Sequence, residues 1–171
     1  MVVTRSVRPA RVFWTYWFPA LLWLALVAVF SSSLFGAGHS GGWLQSILRS
    51  LHLQLTVQQF ESLHFLIRKG MHFFAYAVLS GLFFRALRGT ESPLAPWRLQ
   101  WAALALGVAL LTSSSDEIHQ AFTPGRTGTW HDVFLDMLGA SFAQSVILVT
   151  HLNGSGRGAS RRRPVPVRPT T

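Results

Sequence analysis

The 171-residue chain has no cysteine and only six acidic residues. The first absence excludes disulfides, thiolate nucleophiles and thiolate-ligated metals. The second makes the position of every acid informative. Charged residues make up 12% of the chain and apolar ones 50%, whereas an ordinary soluble domain is about 25% charged. A chain so poor in charge points to an integral membrane protein. Its net charge of +9 does not indicate nucleic acid. The basic residues form no reading helix and no aromatic-interleaved patch. They sit between and beyond the apolar runs, the placement that orients membrane spans.

Four apolar runs, at about 12–35, 71–87, 97–115 and 131–152, have the lengths of membrane helices. They predict an all-α fold, an integral membrane four-helix bundle occupying residues 12–152. A basic segment, 1–11, precedes it, and a Gly-, Arg- and Pro-rich tail, 153–171, reads as disordered. The cationic start and first run are similar to a signal peptide. The run is longer than a typical signal core, so it reads as an uncleaved first span, kinked at Pro19 and ending near Ser31, Ser32 and Ser33.

The stretch GAGHSGG, 36–42, reads as a flexible break. In 43–55, Leu44, Ile47, Leu48, Leu51 and Leu55 recur at helical spacing among Gln45, Arg49, His52 and Gln54. That pattern predicts an amphipathic helix between the first two spans, lying either on the membrane surface or over the bundle mouth. Thr56 and Gln59 fit a capping box, opening a helix that continues through Arg68 and Lys69 into the second run. With the N-terminus inside, most basic residues fall inside, leaving Arg49, Arg68, Lys69 and Arg126 outside. The reading is therefore a multi-pass protein of the cell membrane with both termini cytoplasmic.

Four of the six acids lie in residues 113–136, SSSDEIHQAFTPGRTGTWHDVFLD. They are Asp116, Glu117, Asp132 and Asp136, accompanied by His119, Gln120, Arg126 and His131. Carboxylates at the end of a membrane helix are costly, so they are usually paired, hydrated or functional. Lys69, His72 and Tyr76 share one helix face. Asp116 and Gln120 share another if the helix persists past Ser115, and Asp132, Asp136, Gly139 and Ala143 share a third. Gly139 and Ala143 also form a small-residue pair that lets helices approach closely, within one chain or between chains. In the four-span topology all these polar groups lie at the outer membrane interface.

Asp116, Glu117, Lys69 and His72 are the candidate catalytic residues. Tyr76, Gln120, Arg126, Asp132 and Asp136 are the candidate substrate-binding residues. Each also has a structural reading. Lys69 anchors a span at the headgroups, His72 is a satisfied bundle histidine, Tyr76 packs, Arg126 is a solvated loop charge, and Asp132 caps a helix or interacts with its dipole. Ser113, Ser114 and Ser115 read as satisfying helix-end backbone, since no nucleophile-elbow motif surrounds them. No cofactor is expected. A divalent metal stays open on the ligand types His72, Glu117, His119, His131, Asp132 and Asp136, although no tight ligand motif is present.

Three pieces combine into a resemblance. They are Arg68-Lys69-x-x-His72-x-x-x-Tyr76, then Asp116-Glu117-x-x-Gln120-x-x-x-Pro124-Gly125-Arg126, then Asp132-x-x-x-Asp136-x-x-Gly139. With the serines ending the first span, the set resembles the VanZ-like family of small membrane proteins over roughly residues 12–150. That family often has Asn where this chain has Asp136. It is named after a member linked to resistance to the glycopeptide antibiotic teicoplanin. The resemblance implies a role in cell-envelope function or glycopeptide resistance at the outer leaflet. Its expected partners are membrane lipids and a lipid-linked cell-wall precursor or the glycopeptide itself. Whether catalysis occurs is left open. The alternatives are a non-catalytic scaffold or partner-binding protein, and a small transporter or proton relay. The nearly uncharged midsections of the spans argue against the transporter.

Overall fold

The computed structural model describes residues 9–31, 37–92, 95–122 and 128–160. Among them every regular element is helical. A first helical segment comprises α1 (Pro9–Val12), a π-helical turn (Phe13–Trp17) and α2 (Phe18–Ser31). There follow α3 (Ala37–Ser50), α4 (Val57–Glu91), α5 (Leu99–Ala121) and α6 (Trp130–Ser160).

Pro19 shapes the first segment. Proline has no N–H, and its ring crowds the carbonyl four residues back, here that of Thr15. The helix widens there, with the Phe18 N–H bonding to the Phe13 carbonyl. The expected kink at Pro19 thus takes the form of a π turn just before it. This segment docks on α4 by aromatic groups. Trp17 Nε1 donates to Thr90 Oγ1 at 2.8 Å, and Trp23 Nε1 donates to the Ala75 carbonyl at 2.9 Å. Gly89 receives the Tyr16 ring, which a Cβ at that position would meet at 2.6 Å.

Both bonds of the Thr56–Gln59 capping box form. They start a 35-residue helix, about 52 Å long at 1.5 Å per residue. That exceeds a hydrocarbon core of about 30 Å. The most extensive helix contact is α4 with α6, followed by α5 against each of them. The contacts fix the directions. Lys69 meets Asp132 and Ser80 meets Gln144, so α4 and α6 run parallel. Phe84 meets Trp101 edge to face, and Ser113 bonds Asp136, so α5 runs opposite to both. Burial of Leu79, Phe83, Phe84, Ala102, Ala105, Ala109 and Ala140 forms the seam between these three helices. Small residues dominate it because, against lipid, close packing and hydrogen bonds rather than water exclusion hold helices together.

Three helices are long and apolar enough to cross a membrane, Pro9–Phe30, Val57–Glu91 and Trp130–Asn153. The expected third run lies in α5 and is not among them; Gln100 and the hydroxyls from Thr112 to Ser115 dilute it. α6 continues past Leu152 to Ser160, and the remainder of the expected tail lies outside the described residues.

The expected flexible break at 36–42 is corrected in part, because α3 begins at Ala37 and runs through Gly41 and Gly42. Each glycine costs about 1 kcal/mol relative to alanine in a helix. At a low-polarity surface, satisfying the backbone internally offsets that cost. The helix closes with a Schellman motif. His52 takes φ 57°, its N–H bonds to the Arg49 carbonyl, and the Leu53 N–H bonds to the Leu48 carbonyl. α3 packs lightly on the other helices, burying Leu48 while Trp43, Ile47 and Leu51 form an exposed apolar stripe.

Candidate functional site

The parallel pairing of α4 with α6 and the reversed course of α5 bring three sequence-remote polar stripes to one end of the molecule. Gly139 permits the closest approach. A Cβ there would overlap the Phe73 carbonyl group of α4, lying 2.9 Å from its carbon. With the backbones that near, short side chains can meet. Lys69, one turn from Phe73, forms an ion pair with Asp132, two turns from Gly139. His72 Nδ1 lies 3.3 Å from Asp136 Oδ1. Asp136 is fully buried, and its other oxygen accepts a 2.6 Å bond from Ser113 Oγ of α5. That bond corrects the reading of Ser113 as a helix-end backbone partner. The Ser113 hydroxyl joins two helices through a carboxylate.

A second close approach ties α5 to the start of α6. A Cβ on Gly128 would sit 3.0 Å from the Ala121 nitrogen and overlap the Glu117 carbonyl. The following residue, Thr129, donates its backbone N–H to Glu117 Oε2 at 2.7 Å. Glu117 is buried, and this burial raises its pKa above the usual carboxylate value. The Thr129 N–H works the other way, while the nearby charges of Asp132, Asp116 and Asp136 add to the rise. Glu117 lies beyond the apolar run of α5, at the polar end.

The two adjacent acids therefore part company. Neighbouring residues on a helix point about 100° apart. Glu117 turns into the α5–α6 seam, while Asp116 turns to a different side of α5 and accepts a 3.0 Å bond from Gln120 Nε2. On that side lies a cleft of about 470 Å³. Its walls are Val27 and Ala28 of α2 and Leu111 of α5; Tyr76 of α4, with Ser115, Asp116 and His119, makes its polar part. The cleft exists because α2 packs on α4 but scarcely on α5.

Among the described residues at this end, the buried Glu117 Oε1 has no hydrogen-bond partner, whereas Asp136 Oδ1 faces His72 and the Tyr76 hydroxyl lies beside Ser113. Buried orphans are uncommon, because each carries a desolvation penalty of about 1–3 kcal/mol. Glu117 Oε1 is therefore a place where a water or ligand donor would be welcomed. Among the described residues no three His, Asp or Glu side chains converge to hold a metal ion. His131 stacks on Trp130 at 3.7 Å between ring centroids, on the exposed side of α6.

Of the sequence candidates, Lys69, His72, Glu117, Asp132 and Asp136 become cross-helix contacts, and Tyr76 and Asp116 line the cleft. Gln120 is buried beside Asp116. Arg126 lies outside the described residues. Sequence reasoning missed Gly128 and Thr129. It also passed over a usable signal, since Lys69 is the only lysine of the chain. Elsewhere on α6, Gln144 Nε2 donates to Ser80 Oγ at 2.7 Å, a second buried polar link between α4 and α6.

A family model, VanZ/LLP1, matches residues 14–151. The match takes in α2 to α6 and every polar contact described above, and the chain belongs to that family. No curated protein and no solved structure matches it.

Proposed function

We propose that this VanZ/LLP1-family membrane protein binds the head of an amphiphilic envelope component in the cleft between α2 and α5, at the outer membrane interface. The observation that carries this is the composition of the cleft. Its walls are apolar, and its polar part joins the Asp116 carboxylate with the hydroxyl of buried Tyr76. An apolar chain lies against Val27 and Leu111 while hydroxyl, amide or ammonium donors reach Asp116. A lipid-linked cell-wall precursor has that chemistry, and so does a lipid-associated glycopeptide. The role is in cell-envelope function or glycopeptide resistance.

The membrane disposition behind this reading has four crossings. α5 lies alongside α4 and α6 from Trp101 to Ser113, so where they cross it crosses with them. The arginines at 85, 88 and 98 gather at the end away from the acid cluster, which supports that end facing inside. The exposed apolar stripe of α3 then rests on the outer surface.

A second reading, a non-catalytic scaffold, is favoured by a different observation. Lys69, His72, Glu117, Asp132 and Asp136 are engaged in joining helices. The two readings assign different residues. The test is teicoplanin susceptibility of a sensitive host expressing wild type, Asp116→Asn, Tyr76→Phe, Arg126→Ala and Glu117→Gln, with membrane abundance measured in parallel. Loss of protection in Asp116→Asn and Tyr76→Phe at wild-type abundance supports the cleft. Loss of abundance in Glu117→Gln alone identifies the seam as structural. Full protection by Asp116→Asn and Tyr76→Phe sinks the cleft as the working site.

A further inference from the structure

At the opposite end of the molecule, the connection from α4 to α5 is pinned to two helices. Arg88 Nε of α4 donates to the Ala95 carbonyl at 2.7 Å. The Trp97 backbone N–H reaches Nε2 of His151, on α6, at 3.5 Å. Beneath this connection lies a cavity of about 240 Å³, lined by Phe84, Arg88, Trp97, Ile147, Thr150 and His151. Its chemistry differs from that of the acidic end. The lining contains a guanidinium, an imidazole, a hydroxyl and an indole, and no carboxylate. The nearest acid in sequence, Glu91, is engaged by Arg98 at 2.7 Å. The indole Nε1–H of Trp97 is buried and has no partner among the described residues. It is a donor held out of water beside a fixed cation, which is the arrangement an anion satisfies.

We propose that this cavity binds a phosphate group. Arg88 supplies charge and planar N–H donors, and its Nε bond to Ala95 holds the guanidinium in place. The Trp97 indole supplies the neutral donor that is otherwise orphaned. Thr150 spends its hydroxyl proton on the Ile147 carbonyl at 2.9 Å and helps shape the wall. The cavity sits where the ends of α4 and α6 meet the start of α5, so a phosphate carried on an anionic lipid headgroup reaches it from the membrane surface. A free phosphate reaches it from water. The proposal is independent of the cleft at the acidic end, which shares none of its residues.

The experiment uses the full-length protein in detergent. Native mass spectrometry compares retention of phosphatidylglycerol and of diacylglycerol, which lacks the phosphate, by wild type, Arg88→Gln and Trp97→Phe. A second arm compares the melting-temperature rise caused by inorganic phosphate with that caused by chloride at equal ionic strength. Trp97→Phe keeps the ring and removes only the N–H, so it guards against a folding defect in Arg88→Gln. Arg68→Gln, at the other end, reports general attraction of anionic lipid to the protein surface. The expected result is selective phosphatidylglycerol retention that falls about tenfold in both cavity variants, as for loss of a hydrogen bond to a charged group, and persists in Arg68→Gln. A phosphate-specific rise in melting temperature that is lost in both variants, without lipid retention, supports the same site filled by free phosphate. Absence of both signals overturns the proposal, and so does wild-type binding in either cavity variant.

Discussion

The two ends of the molecule hold their charges by different means. At one end Asp136, Asp132 and Glu117 are buried, at 0%, 7% and 6% exposure. They meet His72 and Ser113, Lys69, and the Thr129 N–H, respectively. At the other end Arg98 and Glu91 pair while 43% and 46% exposed, and Arg85 and Arg98 lie over the Tyr16 and Trp101 rings at 5.1 and 5.0 Å. Side-chain length explains the difference. An arginine reaches outward and keeps its head in polar surroundings while its stem covers apolar surface. An aspartate one turn inside a helix cannot, so the backbone must bring a partner to it. That is the work of Gly139 and Gly128. The acidic end depends on helix geometry, whereas the arginine end depends on side-chain reach.

The strongest way to break this contrast is to separate α4 from α6. Gly139→Val places branched carbon against the Phe73 carbonyl, a backbone group that cannot step aside. The Lys69–Asp132 and His72–Asp136 contacts are lost together. We expect a destabilisation of about 3 kcal/mol, the upper part of the overpacking range, read as a large fall in melting temperature or in membrane accumulation. Wild-type stability would show that helix spacing does not set the acidic contacts.

Next in size is Asp136→Ala. It removes the acceptor of the buried Ser113 hydroxyl and the partner of His72. The cost should be about 2–3 kcal/mol, because a buried donor is left unpaired. Asp136→Asn keeps an acceptor for Ser113, and its cost should stay below about 1 kcal/mol. Equal losses in the two variants would mean that the carboxylate charge, and not the hydrogen bond, matters at this position.

Glu117 sharpens the contrast through pH. Burial holds its folded pKa above 4.5. Below the ordinary carboxylate range both folded and unfolded chains carry the proton, and stability is at its full value. As pH rises from there, the unfolded chain ionises first, and stability declines until pH passes the folded pKa. The sign is opposite to that of a salt-bridged acid. Subtracting the Glu117→Gln melting profile from that of wild type should leave a component that falls with rising pH above about 4.5 and then levels off. A flat difference would show that Glu117 is not held in an apolar setting.

Much of this organisation could be read from residue spacing. The i, i+4 and i, i+3 patterns identify Asp132 with Asp136 and Lys69 with His72 as face-sharing pairs, and Thr56 with Gln59 gives the start of α4. Spacing within one helix cannot give the rotation of that helix against its neighbours. For that reason Asp116 and Glu117 look equivalent in sequence, yet one faces the cleft and the other the seam. Gly128 belongs to a loop, where no periodicity exists to show that its missing side chain admits the Glu117 carbonyl. The start of α3 was hidden because helix propagation through Gly41 and Gly42 depends on surroundings, whereas propensity alone argues for a break.

The smallest effect belongs to the arginine end. Glu91→Gln removes the exposed partner of Arg98, whose guanidinium also lies over the Trp101 ring. An exposed ion pair contributes about 0.2–1 kcal/mol at low salt and less when screened. The expected loss is at or below about 0.5 kcal/mol and should vanish as salt rises. The same substitution leaves the phosphate cavity with one fewer negative charge nearby, so anion retention there should hold or increase. A loss comparable to that of Asp136→Ala would mean that the arginine end, too, is built on obligatory pairing. The division between geometry at one end and reach at the other would then fail.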